Sequence, residues 1–246
     1  MGWYIINEKG DEMSHEAKIH EAQTKILREL LFVPDVNFAK LVTITGLDGD
    51  HAKFHIKRLV ELGYIEKKDS KYGLSIKGKE YANKLDTDDN TIERQPKSSG
   101  MFLLHDKTTN KFLIQKRLKQ PYYGFYNFYT GKIRWGESLE NTAIRETLEE
   151  TGLDSKNWEH RGIYHEIVRH TETGEVLEDK IFHYLYTASY SGTLLKKFEG
   201  GENFWMTLEE VRKQAPNIYE SFEINASATN RNIGFIEKIV HVDKEF

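Results

Sequence analysis

The chain has no cysteine. Disulfides, thiolate metal sites and thiol nucleophiles are therefore excluded, and a reducing compartment is consistent with that absence. Proline is scarce, with 4 in 246 residues, so each one reads as a local stop. Neither sign of charge dominates. The 35 Lys and Arg against 39 Asp and Glu leave a formal net charge of −4, too little for a chain-wide field that attracts nucleic acid. No apolar run approaches the length of a membrane span, so no membrane partner is expected. The opening stretch MGWYIINEKGDEM lacks a basic region followed by an apolar core and does not read as a secretory signal. A soluble, cytoplasmic protein is expected. Met13 is an alternative start to Met1, because helical spacing begins only after it. The length of 246 residues accommodates two cores.

One stretch, residues 131–153, holds most of the chemistry. Glu146, Glu149 and Glu150 are related by i, i+3 and i+4, which puts them on one helix face. Three carboxylates on one face repel unless a cation sits against them. Oxygen-only ligands favour Mg²⁺ or Mn²⁺. Gly131 opens the preceding loop, Ser138 is placed to cap the helix, and Gly152 stands where a positive φ usually closes one.

In register, Gly131, Glu137, Arg145, Glu146, Glu149, Glu150, Gly152 and Leu153 match G-x5-E-x7-R-E-U-x-E-E-x-G-U, with U aliphatic. The segment thus resembles the signature of the Nudix hydrolases. Thr147 is the one departure, where an aliphatic residue is usual. The resemblance implies an α/β/α sandwich with a mixed sheet and metal-dependent hydrolysis of a phosphoanhydride. It makes Glu149 and Glu150 the primary metal ligands and Glu146 a further ligand or base. Arg145 would orient the glutamates, Glu137 would lie at the edge of the site, and the Thr130 carbonyl would be an additional ligand. Relatives often add a carboxylate from a later loop. Glu199 is the choice here, ahead of a Gly-Gly turn, with Glu202 second. Arg117, Lys119, Lys132 and Arg134 flank the signature as candidate phosphate binders. Tyr122, Tyr123, Phe125, Tyr126 and Phe128 offer rings for a nucleobase or for packing. The isopentenyl-diphosphate isomerases, which share this fold, use a cysteine that this chain lacks.

Residues 87–98 are expected to be a linker, since the stretch from Asp86 to Gly100 is polar and has no apolar period. A Nudix domain is expected over 99–246. Strands are expected at 101–105 and 111–117, 162–169 and 180–189, and 203–206. A capping box at Thr207 and Glu210 should open a helix, and an amphipathic stretch should run from 225 to 240. Upstream, helices are expected at 14–32, 38–45, 48–62 and 76–85. The third should bury Ala52, Ile56, Leu59 and Val60, and a hairpin should turn at 69–71. This α+β order, with E-L-G-Y-I followed by Y-G-L-S-I-K-G-K-E-Y-A, resembles the winged-helix regulators over about residues 14–86. That resemblance implies DNA contacts from Lys57 and Arg58 on the third helix and from Lys67 and Lys68 on the wing. Against it, Asp48 and Asp50 begin the third helix, the unit's charge is nearly balanced, and winged helices also bind proteins.

Two functions follow. One is a pyrophosphohydrolase of a nucleoside diphosphate linked to another moiety, with an N-terminal docking unit that binds DNA or protein. The other is a transcription regulator whose Nudix-like domain senses a nucleotide metabolite. A sensor has no need of Glu146, Glu149 and Glu150 together, which favours the enzyme. A homodimer is compatible with both.

Overall fold

The computed structural model describes residues 20–82, 84 and 95–243. The expected helix start at Ser14, the expected helix end at Leu85 and the polar stretch 85–94 lie outside the described residues. The chain divides into two compact units, Met1–Arg94 and Gln95–Phe246.

The first unit runs α1 (Glu21–Phe32), β1 (Val36–Asn37), α2 (Phe38–Thr45), α3 (Gly49–Glu61), β2 (Ile65–Lys68), β3 (Lys71–Leu74) and α4 (Ile76–Ala82). A histidine caps α1: His20 Nδ1 accepts from the Ala22 amide at 3.2 Å and Gln23 returns a bond to the His20 amide at 2.9 Å. Ile26, Leu27 and Leu30 of α1 bury against Leu41, Ile56 and Leu59, and the hairpin adds Ile65 and Tyr72. Asp69 and Ser70 both have positive φ, so the hairpin turns on two residues and Lys71 already belongs to a strand. Two expectations need correction. Val60 is 41% exposed, because the α3 stripe follows Ala52, Ile56 and Leu59 and leaves the adjacent position turned outward. The hairpin also gains β1, giving the strand order β1-β3-β2.

The second unit begins with β4 (Lys97–Asp106), which starts inside the segment expected to be linker. It continues through β5 (Lys111–Arg117), β6 (Tyr126–Asn127), β7 (Tyr129–Lys132) and α5 (Leu139–Thr151). Then come β8 (Leu153–Lys156), β9 (Glu159–His170), β10 (Val176–Thr187), β11 (Ser189–Gly192), β12 (Lys197–Phe198) and β13 (Gly201–Met206). It ends with α6 (Leu208–Arg212), α7 (Phe222–Ser227) and β14 (Phe235–Val242). Among the described residues the main sheet has the order β12-β13-β5-β4-β10-β9-β14. It is mixed: β4 runs parallel to β10 and β14 parallel to β9, with antiparallel pairs elsewhere. Phe102, Leu104, Leu113, Tyr129 and Ala143 fill the layer between the sheet and α5. Met101, Ile114, Tyr164, Tyr184 and Phe222 fill the layer beneath α6 and α7. The expected α/β/α sandwich with a mixed sheet is what forms.

Several boundaries differ from expectation. β9 and β10 are longer, because their polar ends still pair across the ladder to Val176 and Arg169. The stretch 225–240 is not continuous. It ends a short helix, turns at Gly234 (φ 65°) and finishes in the edge strand β14. Among the described residues no helix is long and apolar enough to cross a membrane.

Candidate active site

The site opens where the sheet parts. β4 and β5 pair only at His105–Phe112 and Asp106–Lys111. Beyond that they diverge, β7 pairing with β4 and β6 with β5. A cleft of about 660 Å³ occupies the gap, lined by Gln115, Gly131, Lys132, Arg134, Glu146 and Glu150 among others.

Helix α5 sets one wall of this cleft. The Ser138 hydroxyl caps it, accepting from the Asn141 amide at 3.2 Å, and Gly152 ends it at φ 71°, a conformation that costs a side-chain-bearing residue more. Gly131 has a different purpose. A Cβ there would lie 2.1 Å from Glu146 Cγ and 2.7 Å from its Oε1, so only glycine lets this glutamate lie against β7. Gly131→Ala is expected to keep the fold but push Glu146 aside. The loss in turnover should be about tenfold or more, since catalytic groups tolerate little misplacement. Steady-state kinetics beside a melting curve would check this, and unchanged kcat would contradict it.

Arg145 is the hub of the carboxylates. It forms a two-pronged pair with Glu137, Nε to Oε1 at 2.8 Å and Nη2 to Oε2 at 2.7 Å. Its Nη1 reaches Glu146 Oε1 at 2.6 Å and Glu149 Oε2 at 3.3 Å. Nη2 also donates to the Lys132 carbonyl at 3.1 Å, tying the helix to the strand that carries Gly131. The Glu137 carboxylate accepts further from the Arg134 amide and the Thr142 hydroxyl. Its pKa is pulled down to about 2, first by the arginine and then by these donors. Glu137 is thus the fixed counter-charge of Arg145.

Glu150 is in the opposite condition. Burial, reinforced by Glu146 and Glu149, pushes its carboxyl up to about 7, although Gln115 and Lys119 act the other way. Gln115 Nε2 donates to Glu150 Oε2 at 3.1 Å and to Asn203 Oδ1 at 3.3 Å. Asn203 in turn donates to the carbonyls of Glu150 and Leu195, each at 2.8 Å. Thr147, the departure from the signature, is fully buried, and its hydroxyl lies 2.8 Å from the hydroxyl of buried Tyr129. It supplies a polar partner that an aliphatic residue would not.

The other expected site residues are placed as follows. The Arg117 guanidinium is engaged with the carbonyls of Lys119, Gln120 and Pro121, so it braces that loop from within the cleft wall. Lys132 and Arg134 are exposed, and Arg134 Nη2 lies 3.5 Å from Glu149 Oε1. The Thr130 residue lines the cleft on β7. Glu199 is exposed in the turn between β12 and β13 and does not line the cleft. Glu202 pairs with Lys197 at 3.2 Å and faces Lys116, on the side of the strand opposite to Asn203 and Gln115. Of the aromatic run, Phe128 is core, Tyr123 is exposed, and Tyr122 and Phe125 line the cleft.

Gln115, Asn203, Glu166, Glu178, Lys180 and Tyr219 are the site residues that sequence reasoning missed. Gln115 and Asn203 carried a signal: each is a polar residue at a strand position whose neighbours two residues away, Leu113 and Trp205, face the α5 layer.

On the N-terminal unit, Lys57, Arg58, Lys67 and Lys68 are all exposed. Lys57 and Arg58 both lie 3.6 Å from Glu61, and Lys68 lies 2.8 Å from Glu66. Lys67 extends over the Tyr72 ring.

The NUDIX domain family matches residues 94–224, more than half of the chain, and the chain belongs to that family. An ADP-ribose pyrophosphatase of Methanocaldococcus jannaschii is 29% identical over 101 residues, 38% of this chain and 56% of that protein. The chain thus spans just over half the length of this curated relative. The MutT protein of Bacillus halodurans has a similar structure, with a TM-score of 0.50 and 22% identity over 61% of this chain and 92% of its own. The NUDIX domain of Shewanella oneidensis NrtR, in complex with ADP ribose, gives a TM-score of 0.47 and 17% identity, over 61% of this chain and 94% of its own.

Proposed function

We propose that the chain is a metal-dependent pyrophosphohydrolase that splits the diphosphate of a nucleoside diphosphate linked to a second moiety. The observation that carries this reading is the arrangement on α5: Arg145 organises Glu137, Glu146 and Glu149, while Glu150 lines the cleft without a partner arginine, its carboxyl raised by burial and then by its acidic neighbours. An ADP-ribose pyrophosphatase among the relatives points to ADP-ribose as the first compound to try.

The donor set suits a hard divalent cation. It is made of carboxylate oxygen only, and Glu150 is raised first by burial and then by the nearby Glu146 and Glu149, a condition that a cation would relieve. Among the described residues no three such groups already converge as a metal site, and Arg145 holds Glu146 and Glu149. Glu150, with Glu149 and Glu146 after these two turn from the arginine, would hold Mg²⁺ or Mn²⁺. The bound ion supplies neutralisation of the diphosphate oxygens and Lewis acidity toward water. Where it does not ligate the ion, Glu146 is the base that accepts the proton of the attacking water, and Gln115 holds Glu150 in place. Lys132 and Arg134 draw the diphosphate to the cleft mouth. The attacking oxygen bonds to phosphorus, the anhydride P–O bond breaks, and the leaving phosphate takes the electron pair. Glu199 remains a candidate only if its turn moves toward the cleft. A screen of nucleoside diphosphate compounds with Mg²⁺ and with Mn²⁺ tests the reading, and turnover of none would contradict it.

For the N-terminal unit, three helices followed by a hairpin support a winged helix. The exposed Lys57, Arg58, Lys67 and Lys68 support docking to DNA. Phosphate contacts make affinity fall with salt at a slope of about −0.9 per neutralised phosphate. Replacing Lys67 and Lys68 with Ala is expected to flatten that slope by up to about two units, evenly across sequences. Anisotropy titrations of the full chain against the gene's upstream DNA would measure this. Absence of binding at low salt would instead make the unit a protein-docking module.

A further inference from the structure

A second cavity, of about 800 Å³, adjoins the hydrolytic cleft, and Tyr122, Phe125, Glu166, Tyr219 and Ser221 line both. Its composition differs from that of the cleft. The cleft presents Lys119, Lys132 and Arg134, whereas among the described residues no lysine or arginine lines the second cavity. Three rings form one wall. The Tyr122 and Tyr219 centroids are 4.8 Å apart, Phe125 and Tyr219 5.5 Å, and Tyr122 and Phe125 5.7 Å.

Glu166, on β9, stands where the two compartments meet. The Tyr164 hydroxyl fixes it, donating to Oε2 at 2.9 Å. Among the described residues its carboxylate enters no ion pair. Lys180, its register partner on β10, is paired with Glu178, and Lys238, its partner on β14, is paired with Glu220 at 2.5 Å. The His170 ring is turned to the backbone, its Nδ1 lying 3.2 and 3.3 Å from the amides of Glu172 and Thr173.

We infer that this cavity receives an organic cation, the positively charged and otherwise apolar end of a substrate whose diphosphate lies in the hydrolytic cleft. This rests on the pyrophosphohydrolase reading and adds the class of the second moiety to it. Aromatic faces attract a cation through their quadrupole, most strongly when it is desolvated. A half-buried carboxylate beside them supplies the counter-charge. Burial already pushes the Glu166 carboxyl above its ordinary range, a cost that a cationic ligand relieves. A neutral diol could accept the same rings and hydrogen bonds but would bring Glu166 no charge beyond that of Lys180, which Glu178 shares.

The test measures binding without turnover. 1-Methylnicotinamide, a cation, and nicotinamide, its neutral counterpart, are titrated calorimetrically into the full chain. The cation is expected to bind about tenfold tighter or more. Glu166→Gln should abolish the preference, and Tyr219→Leu should weaken it. Equal affinities, or no cation binding at about 10 mM, would overturn the inference in the unmodified protein, whatever the variants do. So would a preference that survives both substitutions. Since no hydrolysis is read, an inactive enzyme that still prefers the cation would sink the hydrolase reading alone. An active one without the preference would sink the cation site alone.

Discussion

Glu149→Gln and Glu150→Gln are each expected to lower kcat about 10²-fold or more on any compound the wild type hydrolyses, comparable with the loss of a major electrostatic stabiliser of a transition state. Glutamine keeps the shape of the side chain and removes the charge. At Glu150 the Gln115 contact to Oε2 survives the change in principle, so the backbone of α5 has no reason to move. The substitution also removes a carboxylate whose burial is costly, so the Glu150 variant should melt no lower than the wild type. Loss of rate without loss of stability is the signature of a residue kept for chemistry. Near-normal turnover in both variants would remove these two residues from the mechanism.

Arg145→Gln is expected to act the other way, on stability as much as on rate. The side chains of Arg145, Glu137 and Glu146 are 15, 15 and 12% exposed, so the substitution strands two nearly buried carboxylates. Removing one partner of such a partly solvated, charge-assisted pair costs about 1.5–3 kcal/mol. The acid limb should change as well. Glu137 is held near 2 in the fold against an ordinary 4.5. Its stabilisation is therefore complete above about pH 4.5 and is lost as pH falls toward 2. Without Arg145 that depression disappears, and stability between those values should become flatter with pH. Urea melts from pH 2.5 to 7 would show both effects. A variant as stable as the wild type at pH 7 would contradict the hub role of the arginine.

The chemistry of the site was more legible in the sequence than its surroundings. Gly131 and the carboxylates of α5 act within 20 residues of one another, so helical periodicity and glycine placement were enough to group them. The caps Ser138 and Gly152, and the capping box at Thr207, are likewise local. Gln115, Asn203 and Glu166 come together only through strand register, β13 on β5 and β9 on β10, which no local period encodes. Arg117 shows the converse. Its charge and position suggested phosphate, and it does line the cleft, but its Nε and Nη2 are also spent on three nearby carbonyls that only the loop geometry brings there. Val60 and the stretch 225–240 were misread for a simpler reason: one apolar residue beside a stripe, or a short helix followed by a strand, mimics an amphipathic helix.

The central claim is that the α5 carboxylates serve a divalent cation that drives hydrolysis. The direct measurement is product formation from a panel headed by ADP-ribose, as Mg²⁺ is added to protein exhaustively treated with EDTA. The account predicts no turnover in chelator, recovery on adding Mg²⁺ or Mn²⁺, and, for ADP-ribose, AMP and ribose 5-phosphate as products. Full activity after chelation, or ligand binding with no turnover of any panel member at any metal concentration, would contradict it.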